Sequence, residues 1–307
     1  MKSIADIIGA KPRKPASYEL RKTRGSKEDL EFIENFEKQL AEWETKYKEL
    51  QTERQKDVKA VEPVEVKKEV YRFDEGELIQ NFMKCYQEAN NSEFEKVNPY
   101  SESKEPLQLV RTLLYYFLTD ERFFKSPLLS DIAKPSFNKG LLIIGGYGCG
   151  KTSTFKALKK LFNGYIKWLQ SKDFANTPNL VNCLQFDTSV STEVVLDYSN
   201  SKDTSYCQDI VRGLIKRTPL YIDDILREEV AYNYGKRNIF KEVLSVRADK
   251  GYKTYLTCNY LETDDKGSTI GALESLNQFR TKYDGRIYDR LFQMFNVIEL
   301  TGKSFRR

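Results

Sequence analysis

Leu141-Leu142-Ile143-Ile144-Gly145-Gly146-Tyr147-Gly148-Cys149-Gly150-Lys151-Thr152-Ser153 is an apolar run that breaks into glycines and reopens on a helix-forming segment. From Gly145 to Thr152 it fits G-x-x-x-x-G-K-[ST] in full. Each residue type has a job in such a loop. Glycines let successive backbone N–H groups converge on phosphate oxygens with no Cβ in the way, and the helix N-terminus adds partial positive charge. Lys151 supplies a cation for β- and γ-phosphates, and the Thr152 hydroxyl a ligand for Mg²⁺, with Ser153 completing the first turn. The expected cradle is therefore Gly145 through Ser153, and its ligand a nucleoside triphosphate such as ATP with Mg²⁺.

Working outward, short apolar runs alternate with helical stretches from Lys139 onward, the pattern of a parallel sheet with helical crossovers. Strands are expected at Leu141–Ile144, Cys183–Phe186, Leu220–Ile222, Thr254–Cys258 and Val297–Leu300. The helices between them are expected at Lys151–Phe162, Glu193–Tyr198, Asp209–Lys216, Arg237–Asp249 and Leu273–Phe295, the last broken near Gly285.

A phosphate cradle alone hydrolyses nothing. The run Leu220-Tyr221-Ile222 ends in Asp223-Asp224, where the first carboxylate would hold Mg²⁺ through its water shell and the second would polarise an attacking water. The next strand ends in Asn259, a neutral donor and acceptor placed to sit between a γ-phosphate and that water. Further on come Gly285-Arg286-Ile287-Tyr288-Asp289-Arg290-Leu291 and the terminal Gly302-Lys303-Ser304-Phe305-Arg306. Arginines stabilise charge spread over a transferring phosphoryl group.

This ordered set resembles the AAA+ ATPases of the DnaC/DnaI helicase-loader type, which are related to DnaA and to the IstB transposition ATPases. The resemblance covers about residue 135 to 307. It implies an α/β fold, a five-stranded parallel sheet in order 5-1-4-3-2 flanked by helices, with an α-helical N-terminal extension. It further implies Asn259 as sensor 1, Arg290 as an arginine finger offered to a neighbouring subunit (Arg286 in reserve), and Arg306 as sensor 2. Two positions depart from the pattern: Leu226 stands where such loaders often have Gly, and Cys149 replaces the usual Thr, Ser or Val.

The N-terminal third matches no such pattern. Residues 1–24 carry seven basic side chains against Asp6 and Glu19, so the net +5 of the 307-residue chain resides in this arm. It reads either as a disordered solubilising tail or as a contact for phosphate backbones or an acidic partner. Ser26-Lys27-Glu28-Asp29 is a capping box opening a helix with Ile33, Phe36, Leu40, Trp43, Tyr47 and Leu50 along one seam. That seam either packs on the protein itself or docks on another protein's helices. Arg54 to Glu69, with Pro63 inside, reads as a linker. Asp74-x-x-Glu77 opens a helix bearing Leu78, Ile79, Phe82 and Tyr86, and Pro106 starts another bearing Leu107, Val110, Leu113, Leu114 and Phe117. Three regions are thus expected: 1–70 for partner binding, 71–134 as a helical connector, and 135–307 as the ATPase module.

Composition removes several chemistries. With no histidine, Ser-His-Asp and Cys-His catalysis and imidazole metal sites are excluded. The five cysteines include no C-x-x-C pair, which speaks against a thiolate zinc site or a disulfide framework. No apolar run approaches membrane-spanning length, so a soluble, cytoplasmic protein is expected. The resulting expectation is an ATP-hydrolysing DNA replication protein. It would load a ring-shaped replicative helicase, gripped by the N-terminal helical region, onto single-stranded DNA and self-associate through Arg290. The alternatives are a transposition-helper ATPase and a non-hydrolytic, ATP-dependent adaptor.

Overall fold

The structure, a computed structural model, describes residues 9–60, 69–89, 104–172, 174–233, 235–260 and 272–301. The chain divides into two compact units, Met1–Lys67 and Lys68–Arg307.

In the first unit, Pro15 to Arg24 leads into a short helix, α1 (Tyr18–Arg24), which Gly25 ends in a left-handed conformation at φ 63°. A long helix, α2 (Lys27–Ala60), follows. The capping box forms as its residues dictate: Ser26 Oγ accepts the Asp29 N–H at 3.2 Å and donates to Asp29 Oδ2 at 2.7 Å. The basic arm folds back along α2. Tyr18 donates to Glu37 at 2.6 Å and meets the Phe36 ring edge-on. Trp43 Nε1 donates to the Gly9 carbonyl at 3.0 Å, and Lys11 pairs with Glu44 at 3.0 Å. Part of the Ile33–Leu50 seam is therefore covered by the chain's own arm. One expectation changes here. Helix α2 continues through Arg54 to Ala60, because Glu, Lys, Gln and Ala are good helix formers and no proline intervenes before Pro63.

The second unit is an α/β/α sandwich. Its helices α3 (Glu75–Ala89) and α4 (Lys104–Phe117) precede β1 (Gly140–Gly145). Then come α5 (Lys151–Gln170), α6 (Thr177–Leu184), β2 (Asp187–Val190), α7 (Ser191–Asn200), α8 (Thr204–Lys216) and β3 (Leu220–Asp223). A small hairpin, β4 (Ala231–Tyr232) and β5 (Lys236–Arg237), is followed by α9 (Ile239–Asp249) and β6 (Thr254–Asn259). The described chain ends with α10 (Ala272–Lys282), α11 (Gly285–Met294) and β7 (Phe295–Leu300).

The main sheet runs β2-β3-β6-β1-β7 with every pair parallel. Numbering these five strands alone in chain order gives 5-1-4-3-2 read from the β7 edge. Alternation along β1 builds both layers of core. Leu141 and Ile143 face a cluster holding Leu78, Phe82, Leu113, Phe117 and Phe155, while Leu142 and Ile144 face Ile222, Phe240, Leu244, Leu276 and Leu291. Helices α3 and α4 thus belong to the same core as the sheet.

The expected strand Cys183–Phe186 is a correction. Cys183 and Leu184 close helix α6, which starts at Thr177-Pro178 with proline in its first turn, and the strand is the polar Asp187-Thr188-Ser189-Val190. Because β2 is an edge strand and half exposed, it needs no apolar run, and the apolar residues just before it belong to a helix face.

Candidate functional site

Three central strands, β3, β6 and β1, lie side by side, so their carboxyl ends deliver Asp223, Asn259 and the glycine loop to one edge. In register Gly145 stands opposite Asn259. Gly148 and Gly150 adopt φ values of 75° and 88°, a region where an L side chain is strained, so the turn depends on glycine at both. Gly145 is restricted for another reason: a Cβ there would meet Leu300 Cβ at 2.8 Å and Cys149 Sγ at 2.9 Å. Gly146 and Tyr147 complete the loop, with Tyr147 54% exposed, and Gly150 sits at the N-cap of α5, ahead of Lys151, Thr152 and Ser153.

Lys151 is 7% exposed. Its Nζ donates to the carbonyls of Gly145 and Gly146, both at 2.8 Å, and to Asn259 Oδ1 at 2.9 Å. Cys149 Sγ lies 3.6 Å away. Burial pushes the neighbouring Cys258 thiol up to about 12, although the Lys151 charge pulls the other way.

Asp223 and Asp224 receive different environments. Oδ1 of Asp223 accepts three hydroxyls: Thr152 at 3.0 Å, Tyr221 at 2.6 Å and Thr257 at 2.6 Å. The tyrosine is raised well above its ordinary range by burial, with the Asp223 carboxylate adding to it. Asp224 sits at φ 53°, in the left-handed region. Its N–H donates to Thr257 Oγ1 at 3.0 Å, which turns its side chain out of the strand line. There Oδ1 accepts from Asn259 Nδ2 at 2.7 Å and Oδ2 pairs with Arg227 at 3.1 Å. Asn259 therefore bridges Lys151 and Asp224 with the two ends of one amide.

The donor set suits a magnesium triphosphate. A Thr hydroxyl and a carboxylate already meet in a hydrogen bond, a buried ammonium is held by two carbonyls, an amide oxygen and a thiol sulfur with no carboxylate among them, and loop N–H groups open from a helix N-terminus. Beside Asp224 and Asn259 an open cavity of about 300 Å³ is lined by Tyr147, Leu226, Arg227, Tyr260 and Gln278.

Of the expected site residues, the structure brings together Gly145 to Ser153, Asp223, Asp224 and Asn259. Arg290 is elsewhere. It pairs with Asp249 at 2.7 Å and lines a cleft with Gly140, Tyr252 and Lys253, at the amino-terminal ends of β1 and β6. Arg286 is exposed on the first turn of α11, and Arg306 lies outside the described residues. The sequence reading missed Tyr221, Thr257 and Arg227. The first two had a signal: each stands two residues before an assigned residue on the same strand, hence on the same face. Arg227 had none, because its reach to Asp224 depends on the left-handed turn.

The strand order and the loop after β1 define an α/β P-loop fold, a five-stranded parallel sheet flanked by helices. No known family profile matches the sequence, and no curated protein does. Among solved structures the chain is similar to the DnaC helicase loader, 14% identical, over 71% of this chain and 99% of that one, with a TM-score of 0.41. It is also similar to DnaI, 16% identical, over 68% and 93%, with a TM-score of 0.40. Among the described residues no helix is long and apolar enough to cross a membrane.

Proposed function

We propose that this chain is an ATP-binding and ATP-hydrolysing DNA replication protein that loads a ring-shaped replicative helicase onto single-stranded DNA in the cytoplasm. One observation carries the ATPase part: Lys151, Thr152, Asp223, Asp224 and Asn259 converge at the carboxyl ends of three adjacent parallel strands, joined by direct hydrogen bonds. In this reading the loop N–H groups and Lys151 hold the β- and γ-phosphates, and Thr152 with Asp223 holds Mg²⁺. Asp224 polarises the attacking water, and Asn259 fixes both Lys151 and Asp224.

Arg290 is assigned to a neighbouring subunit's nucleotide. What supports this is its place at the end of the sheet away from its own phosphate loop, where it cannot serve its own site. The pairing of Asp224 with Arg227 supports low activity in an isolated subunit, since that carboxylate oxygen must leave Arg227 before it can hold a water. The choice of a helicase as partner rests on the ordered motif set, and the first unit, with its charged helix and basic arm, is assigned to grip it.

The test has two stages. Lys151→Ala should lose ATP binding, and normal nucleotide affinity in that variant would sink the phosphate-loop assignment. The purified chain with ATP should then place the host's replicative helicase on protein-coated single-stranded circles, read as unwinding. Retention of a transposase on duplex DNA instead would favour the transposition-helper alternative.

A further inference from the structure

Between Asp224 and α11 lies a buried ionic knot that none of the roles above uses. Glu228, four residues past Asp224, is 3% exposed. Its Oε1 accepts the Tyr283 hydroxyl at 2.5 Å and lies 3.2 Å from Lys282 Nζ, while Oε2 is buried with no hydrogen-bond partner. Lys282 Nζ also donates to the carbonyls of Leu226 (2.6 Å) and Glu228. One ammonium thus ties down two carbonyls and the carboxylate of a single loop. The same turn is gripped from its other side, where Asn238 donates to the Lys282 carbonyl at 3.0 Å and Lys241 pairs with Asp284 at 3.1 Å. Asp284 then caps α11, accepting the Ile287 N–H at 2.9 Å.

The loop itself is strained. Asp224 and Leu226 both lie at positive φ, 53° and 79°, with no glycine in the stretch. Burying a carboxylate with one oxygen unsatisfied also costs stability. Strain and a buried charge persist together where the surroundings over-determine them, and such places are where two-state elements are found. Ile225 is fixed, since it is buried and its N–H donates to the Thr257 carbonyl at 2.8 Å. A change of partner at the Asp224 side chain must therefore be absorbed by residues 226–228, of which Leu226 and Glu228 have their carbonyls on Lys282.

We infer that Glu228 is a positioning residue that passes the nucleotide state of Asp224 to α11, and so to the arginines that this helix carries, Arg286 and Arg290. The inference rests on the nucleotide-site reading above. Coupling of this kind is reciprocal, so a load on α11 must also act back on Asp224.

The test is amide hydrogen exchange of residues 282–291 in the full chain, with and without saturating Mg·ATP. Glu228→Gln keeps the shape and an acceptor for Tyr283 but removes the charge facing Lys282. In the parent chain exchange should change by about fivefold or more on nucleotide binding. In Glu228→Gln that response should be lost while ATP affinity stays within about twofold of the parent, a combination a purely structural role would not give. Tyr283→Phe should weaken the response, and it carries the test if the first variant does not fold. A full response in either variant overturns the inference, as does a parent segment that ignores bound ATP. A parent chain that binds no ATP fails at the titration step, which breaks the nucleotide reading and the coupling with it.

Discussion

Two buried cations stand at opposite ends of the sheet's central strands, and both are solvated by backbone carbonyls. Lys151, at the carboxyl end, is held by two carbonyls and an amide oxygen. Arg247, at the amino end, is fully buried and donates to Thr254 Oγ1 and to the carbonyls of Leu214, Ile215, Arg217 and Lys253. Its desolvation is severe enough to bring the guanidinium down to about 10. What differs is the supply of alternatives. Arg247 spends all three guanidinium nitrogens on the end of α8 and the start of β6, so it is a clamp. Lys151 is a point charge on a flexible stem, its partners Gly146 and Asn259 are half-buried, and a phosphate could replace each of them. The same physics therefore builds a fixed joint at one end and an exchangeable one at the other.

The sharpest way to use that contrast is Arg290, which shares the Arg247 end of the sheet and so should act only in trans. Arg290→Ala and Lys151→Ala should each be inactive alone and partly restore hydrolysis when mixed, because one composite site per mixed interface is complete. The parent should exceed Arg290→Ala by about 10³–10⁵ in rate at assembling concentrations, the range of arginine fingers. Full activity in Arg290→Ala alone, or a dead mixture of co-assembled chains, would make Arg290 simply the partner of Asp249.

Next in size is Asp224→Asn. Nucleotide binding should persist, since Asp223 and Lys151 are untouched, while turnover measured by phosphate release should fall by about 10²–10⁴. Parent-rate hydrolysis in this variant would remove Asp224 from the role of polarising the attacking water.

These tests rest on residues of unequal legibility. The phosphate loop, Asp223-Asp224 and Asn259 could be read from sequence because each follows an apolar run directly, and chain direction then places them at the carboxyl end of a strand. The α10–α11 break at Gly285 was equally readable. Strand β2 was not, because an edge strand needs no apolar run and its neighbour α6 supplied a false one. Arg247, Arg227 and Glu228 were also hidden. Each is an ordinary charged residue in sequence, and its partners lie on other elements or across a left-handed turn. A local pattern carries no information about such pairings.

The pair Lys151→Met and Arg247→Met tests the contrast itself. Removing Arg247 takes the donor from four carbonyls, that of Leu214 buried and the others partly so, and leaves a cavity where a fully buried side chain stood, so the Lys68–Arg307 unit should lose about 3–5 kcal/mol in chemical denaturation. Its ATP affinity should be unchanged below the transition. Lys151→Met should do the reverse, abolishing nucleotide binding while stability stays within about 1 kcal/mol, because water can reach the groups left behind. Equal destabilisation by both would mean that Lys151 is a clamp as well.

The smallest effects come from taking away one partner of each cation. Thr254→Val removes the acceptor of Arg247 Nε and the donor to the Tyr252 carbonyl, both at 2.8 Å. Arg247 keeps its carbonyls, so the cost should be about 1–2 kcal/mol, well short of losing the arginine. Asn259→Ala removes the Oδ1 acceptor of Lys151 and the Nδ2 donor to Asp224, yet the site is half-open and water can stand in for the amide. Its stability change should be about 0.5 kcal/mol or less, while phosphate release still falls, since water does not hold Lys151 and Asp224 in fixed register. The informative quantity is the ratio of rate loss to stability loss. A joint that must be exchanged during function should show a large ratio, and a fixed joint a ratio near zero. If Asn259→Ala were to destabilise the unit as much as Thr254→Val and leave hydrolysis intact, the two ends of the sheet would be the same kind of structure.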